Sequence, residues 1–271
     1  MGLRVNTNLF SLNAHRNLSN VSSRLGGNFA RLSSGLRIAT AADDAAGLGI
    51  SERMRAQVRS LQQAGRNAND GISLSQTAEG ALNELNGNLV RMRELAVQAA
   101  NGTLNTGDRA IIDAEFQALV EEIDRVANQT TFNGVNLLDG STTSLSIQVG
   151  SESGETIDVT FEDVTAATLA VDTSVTDETL AAAALDLLDT AIDTVSGLRG
   201  DLGAAQNRIQ STVRSIANVV ENLSGAESRI RDVDIALETA DLTRNSILQQ
   251  AAVSVLAQAN VQPQLALGLL G

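Results

Sequence analysis

Cysteine, lysine, tryptophan and tyrosine are absent from these 271 residues, and proline and histidine occur once each. Without Cys there is no disulfide framework, although a chain with a large apolar core can do without one even outside the cell. The single imidazole, His15, cannot build a Cys/His metal site, and in the polar stretch LNAHRN it has no partner motif for nucleophilic catalysis. It reads as an ordinary contact residue. At 2% aromatic the chain is too poor in rings for a base-stacking platform, and a net charge of -13 is the wrong sign for nucleic acid. That charge reads as solubility. A bilayer span needs about 20 nearly unbroken apolar residues, and the best stretch, Ile247 to Val261, is interrupted by Gln249, Gln250, Gln258 and Asn260. The opening MGLRVNTNLFSLN has neither the apolar run nor the cleavage site of a secretory signal, and Asn6 stands where a myristoylation motif wants Ser or Thr.

What is present is helical spacing. With its one proline at position 263, the chain almost nowhere carries the strongest helix breaker. Leu18, Val21, Leu25, Phe29, Leu32 and Leu36 recur every three or four residues, as do Leu82, Leu85, Leu89, Met92, Ala96 and Ala99, and again Ile112, Phe116, Leu119, Ile123 and Val126. A further stripe runs through Val195, Leu198, Leu202, Ile209, Val213, Ile216, Val220 and Leu223 to Ile230, Val233, Leu237, Ala240, Ile247, Ala251 and Val255. Each predicts an amphipathic helix with one apolar seam, as in bundles and coiled coils. Helix from about Asp177 to Val261 would measure on the order of 120 Å if unbroken. Gly197, Gly200, Gly203 and Gly225 are candidate interruptions.

The period changes in the middle. Leu145, Ile147 and Val149 alternate with polar residues, GSESGE supplies turn chemistry, and Ile157, Val159 and Phe161 alternate again. This predicts a β-hairpin over about 143–162, with Asp139-Gly140 as a start signal. NGTLNTGD (101–108) separates two helices, with Thr106 or Asp108 as candidate caps.

Charge is partitioned along the chain. Residues 1–42 hold five Arg and no acid, and residues 245–271 hold no ionisable side chain at all. The uncharged tail carries ten large aliphatics, among them Ile247, Leu248, Val255, Leu256, Leu267, Leu269 and Leu270. One chain end packed against the other covers too few of its faces to offset the entropy of ordering it. The tail is therefore expected to be unordered in the monomer and ordered by neighbouring subunits.

Blocks of sequence resemble a known family. LSSGLRIATAADDAAGLGISERMRAQVRSLQQAGRNANDGISLSQTAEGALNE (32–84), VRMRELAVQAANGT (90–103) and EEIDRVANQTTFNGVNLLDG (121–140) are similar to the N-terminal conserved region of bacterial flagellin. AESRIRDVDIALETADLTRNSILQQAAVSVLAQAN (226–260) is similar to its C-terminal region. The resemblance implies a mainly α fold of long antiparallel helical rods and coiled coil, made by pairing N- and C-terminal segments, plus a small β-hairpin region. It divides the chain into an inner coiled-coil domain (1–43 with 228–271) and a rod-like helical domain (44–227). Larger relatives insert outer domains after the hairpin. Here helical sequence resumes within about 20 residues of Phe161, which marks a minimal form.

The implied function is a structural subunit of a hollow helical polymer, secreted by the flagellar type III pathway and working as a propeller, with no enzymatic activity, cofactor or metal. The implied partners are further copies of the chain, an export chaperone that grips the C-terminal tail, the filament cap and the hook–filament junction proteins. Arg91, Leu95 and Glu115 match the family's Toll-like receptor 5 contact residues, and Leu267, Leu269 and Leu270 match positions read by inflammasome receptors. A hook–filament junction adaptor is the alternative reading. Five Asn-x-Ser/Thr sequons, at Asn17, Asn20, Asn101, Asn128 and Asn222, read as chance in a chain with no secretory signal.

Overall fold

The structure, a computed structural model, describes residues 7–268, with side chains described through Gln262. Among these residues five helices and two small antiparallel sheets follow in the order α1 (Leu9–Ser34), α2 (Ala45–Ala99), α3 (Thr106–Gln129), β1 (Thr131–Phe132), β2 (Val135–Asn136), β3 (Ser144–Gln148), β4 (Thr156–Thr160), α4 (Glu178–Arg231) and α5 (Ile235–Gly268). The mainly α fold and the hairpin expected from the sequence are both present.

Helix ends follow the side chains available there. Asn8 caps α1 by accepting from the Ser11 N–H, and Gly35 closes it at φ 72° with its N–H on the Arg31 carbonyl. Asp44 starts α2 by accepting from the N–H groups of Ala46 and Gly47. At α3 the cap is Asn105, not Thr106 or Asp108. Asp108 is its reciprocal partner three residues on, the two forming a capping box.

The interruption expected at glycines falls elsewhere. α4 passes through Gly197, Gly200, Gly203 and Gly225 without a break, and the chain leaves the helix only at Asp232. A helical glycine costs roughly 0.5–1 kcal/mol, less than the burial of Val195, Leu198 and Leu202 around it provides. At the observed break the backbone finds other partners. The Val233 N–H donates to the Gly35 carbonyl, the Arg37 N–H to the Arg231 carbonyl, and Asp234 caps α5.

The chain forms two compact units, residues 1–56 with 222–271 and residues 57–221. The second holds the continuous core. Leu82, Leu85, Leu89 and Met92 of α2, Phe116 and Ile123 of α3, and Leu188, Val195 and Ile209 of α4 are all fully buried. The β3–β4 hairpin pairs Ile147 with Ile157 and docks on α2, where the Asn67 amide donates to the Gln148 carbonyl. Gly71 leaves the space that the Ile147 side chain fills. Residues 161–176 form no regular element, yet Val164, Val171 and Val175 are fully buried. Their backbone is held by α3: Asp124 accepts from the Ala166 N–H, Asp113 from the Val175 N–H, and Gln117 donates to the Thr173 carbonyl.

One cation is structural in this unit. Arg109, 8% exposed, donates to the carbonyls of Ala99 and Asn101 and so satisfies the C-terminal end of α2. Arg109→Met keeps the bulk but leaves those carbonyls unpaired. It is expected to cost about 2–3 kcal/mol, read as a lower denaturant midpoint at unchanged slope; a midpoint within error of wild type would show that water replaces the guanidinium.

In the first unit α1 and α5 pair antiparallel. Asn245 donates to buried Asn28 at 3.0 Å, Asn8 donates to the Ala259 carbonyl at 2.7 Å, and Arg31 lies 3.6 Å from Glu238. Residues 245–268, expected to be unordered in a single chain, continue α5 as helix. Their backbone bonds are made within the helix, and one face is covered by α1.

Candidate assembly and contact surfaces

The α5 residues turned to α1 are Glu238, Leu242, Asn245, Gln249, Ala252, Leu256 and Ala259, each buried or half-buried and three or four positions from the next. Most are polar or small. The aliphatic stripe read from the sequence as the seam instead points away: Leu237 is 69% exposed, Ile247 61% and Val255 59%. Leu248 and Val253 share that exposure, and only Leu256 of the described tail candidates is half-buried against α1. α1 shows the same inversion. Phe29, expected in its seam, is exposed along with Leu9, Phe10 and Leu12, while Asn28 takes the inner position. His15 is exposed on the same helix.

The result is a helix pair whose inner line carries polar pairs and whose outer faces carry large aliphatic side chains. Exposed apolar surface of this kind marks an interaction site. Leu267 lies in α5 with its side chain outside the described residues, and Leu269 and Leu270 lie outside them altogether.

The second candidate surface lies in residues 57–221. Arg91 of α2 and Glu115 of α3 meet across the helices at 2.7 Å, and Arg91 also reaches Glu94 at 2.9 Å. The Glu115 hydrogen bond, with a smaller contribution from Glu94, raises the Arg91 pKa above its ordinary value, so the guanidinium is charged at any working pH. Both side chains of the pair are about half exposed. Leu95, placed beside them by the resemblance, is 2% exposed and belongs to the core beneath. The exposed apolar neighbours are Val90, Val97 and Ile111. Their exposure could not be read from the stripe, because only the docking of α3 on α2 decides which side of α2 is covered.

Neither surface offers catalytic geometry. Among the described residues no group of three or more His, Asp or Glu could hold a metal ion, and no helix is long and apolar enough to cross a membrane.

Two family models match the chain: "Bacterial flagellin N-terminal helical region" over residues 5–143 and "Bacterial flagellin C-terminal helical region" over residues 185–270. The chain is 51% identical to a flagellin of Halalkalibacterium halodurans, over 98% of this chain and 99% of that one. It is 43% identical to the flagellin of Bacillus subtilis, over 99% and 100% respectively. Among solved structures, Bacillus cereus flagellin is similar with a TM-score of 0.52 at 35% identity, covering 56% of this chain and 88% of that one.

Proposed function

The chain belongs to the bacterial flagellin family and is a structural, non-enzymatic subunit of the flagellar filament outside the cell, and from that premise we propose that the outer faces of α1 and α5 are the surfaces through which its copies hold one another. The carrying observation is the inversion of α5, whose large aliphatics point away from the only helix that covers it. A face of this kind is left for neighbours. Heterologous contacts that do not close on themselves extend into an open helical filament. On this reading Ile247, Leu248, Val255, Leu256, Leu267, Leu269 and Leu270 are packing residues. The breaks at Asp43-Asp44 and at Asp232 to Asp234 support an inner domain of 1–43 with 228–271 and a rod domain of 44–227.

The same uncharged tail, before assembly, suits capture by an export chaperone on the type III route, which would keep aliphatic surface from premature contact. The filament cap and the junction proteins are the further partners of this reading. Arg91 and Glu115 form an accessible charged pair that suits a receptor contact such as Toll-like receptor 5, with Leu95 supporting it from the core; the last leucines suit inflammasome receptors. No observation favours the junction-adaptor reading.

The experiment is assembly of the purified full-length chain under a kosmotropic salt, which strengthens apolar burial. Uniform hollow filaments by electron microscopy are expected. Persistent monomers or short closed rings under every salt tried would refute the homopolymer mechanism.

A further inference from the structure

The charges of residues 57–221 are segregated. Residues 57–69 of α2 and 202–220 of α4 contain four Arg and not one Asp or Glu. These two stretches lie side by side, the space at Gly65 facing Ile216. All four cations, Arg59, Arg66, Arg208 and Arg214, are exposed, and among the described residues none has a carboxylate within 4 Å. The remainder, residues 70–201, holds 23 carboxylates against five Arg. There Arg91, Arg93, Arg109 and Arg125 are each paired with an acid. Cations are thus satisfied within the acidic part and left unsatisfied at the basic end, in a chain whose net charge is -13.

We propose that the basic end formed by Arg59, Arg66, Arg208 and Arg214 is an intersubunit docking surface for the acidic part, residues 70–201, of a second copy. The occupant follows from charge complementarity. A self-associating chain of net charge -13 brings carboxylates close to one another, and each copy carries an unpaired cationic patch that can receive them. Complementary patches fix register and exclude wrong pairings more than they add affinity. The apolar faces of α1 and α5 would supply adhesion, and this polar contact would select the neighbour's position. The proposal rests on the homopolymer reading above.

The test reverses each patch and then mixes the two chains. One variant carries Arg59→Glu, Arg66→Glu, Arg208→Glu and Arg214→Glu. The other carries Glu84→Arg, Glu121→Arg, Asp186→Arg and Asp193→Arg, four exposed acids with no Arg within 4 Å among the described residues. Thermal melts of the monomers first verify folding, which is expected to be unchanged because no intramolecular pair is broken. Each variant alone should raise the critical concentration for seeded polymerisation about tenfold, the scale of a few exposed pairs turned repulsive. An equimolar mixture should return most of the way to wild type.

Wild-type assembly by the Arg variant overturns the proposal, as does a mixture no better than its parts. If the acid-reversed variant polymerises more readily than wild type, overall repulsion governs and the proposal is wrong. Normal assembly by the Arg variant, together with lost retention on a polyanionic resin, would reassign the patch to an external polyanion. Failure of the wild-type chain itself to polymerise would instead strike the homopolymer reading.

Discussion

Replacing Ile247 and Val255 together with Asp is expected to abolish filament formation while the unit of residues 57–221 melts as in wild type. Both side chains are about 60% exposed in the single chain, so the monomer has little to lose. In the polymer each would lie against a neighbour. Burying an aliphatic side chain of this size is worth about 1.5–3 kcal/mol, and an unpaired carboxylate in its place adds a desolvation penalty of several kcal/mol. With tenfold in concentration for every 1.4 kcal/mol or so, the critical concentration should rise at least about a thousandfold. Sedimentation after seeding, beside a thermal melt, gives both readouts. Assembly within about tenfold of the wild-type concentration would mean that the outer face of α5 is not a contact. Because residues 245–271 contain no ionisable group, the doubly substituted tail would hold its only two charges, which makes the comparison clean.

Leu95→Ala is expected to destabilise the unit of residues 57–221 by about 2–5 kcal/mol, the range for a fully buried leucine truncated to alanine. Leu95 is 2% exposed and sits in the same cluster as Met92, Ala96 and Phe116. Arg91→Ala removes an ion pair between half-exposed groups and should cost no more than about 1 kcal/mol. The two substitutions therefore separate roles that the resemblance placed together. If Leu95 served as a surface contact, its truncation would leave the denaturant midpoint within error of wild type. If it is core, as its burial indicates, any loss of receptor binding by Leu95→Ala must be compared with the fraction folded. Arg91→Ala and Glu115→Ala, which leave the core intact, are the substitutions that report on recognition itself.

The sequence by itself determined the elements. A three-to-four spacing of Leu82, Leu85, Leu89 and Met92 has no solution but a helix with one buried face, and α2 buries all four. Alternation at Leu145, Ile147, Ile157 and Val159 does the same for the hairpin. Asn133-Gly134, both at positive φ, joins β1 to β2 in a turn signal that stood in the sequence and went unread. The conserved-looking blocks, in their order, were enough to place the chain in its family.

Tertiary structure decided what each face meets. Spacing says that Leu237, Ile247 and Val255 lie along one stripe, but not whether α1 covers that stripe or its opposite. α1 covers the line of Glu238, Asn245 and Ala259, because Asn28 and Arg31 supply polar partners there. The glycines of α4 are tolerated because the packing around them outweighs their entropy. The break came instead where Gly35 and Arg37 offered the backbone other hydrogen bonds. Arg109 closes the end of α2 from a position no motif marks. In each case the deciding partner is distant in sequence, so a local pattern supplies the choices and the packing of remote segments selects among them.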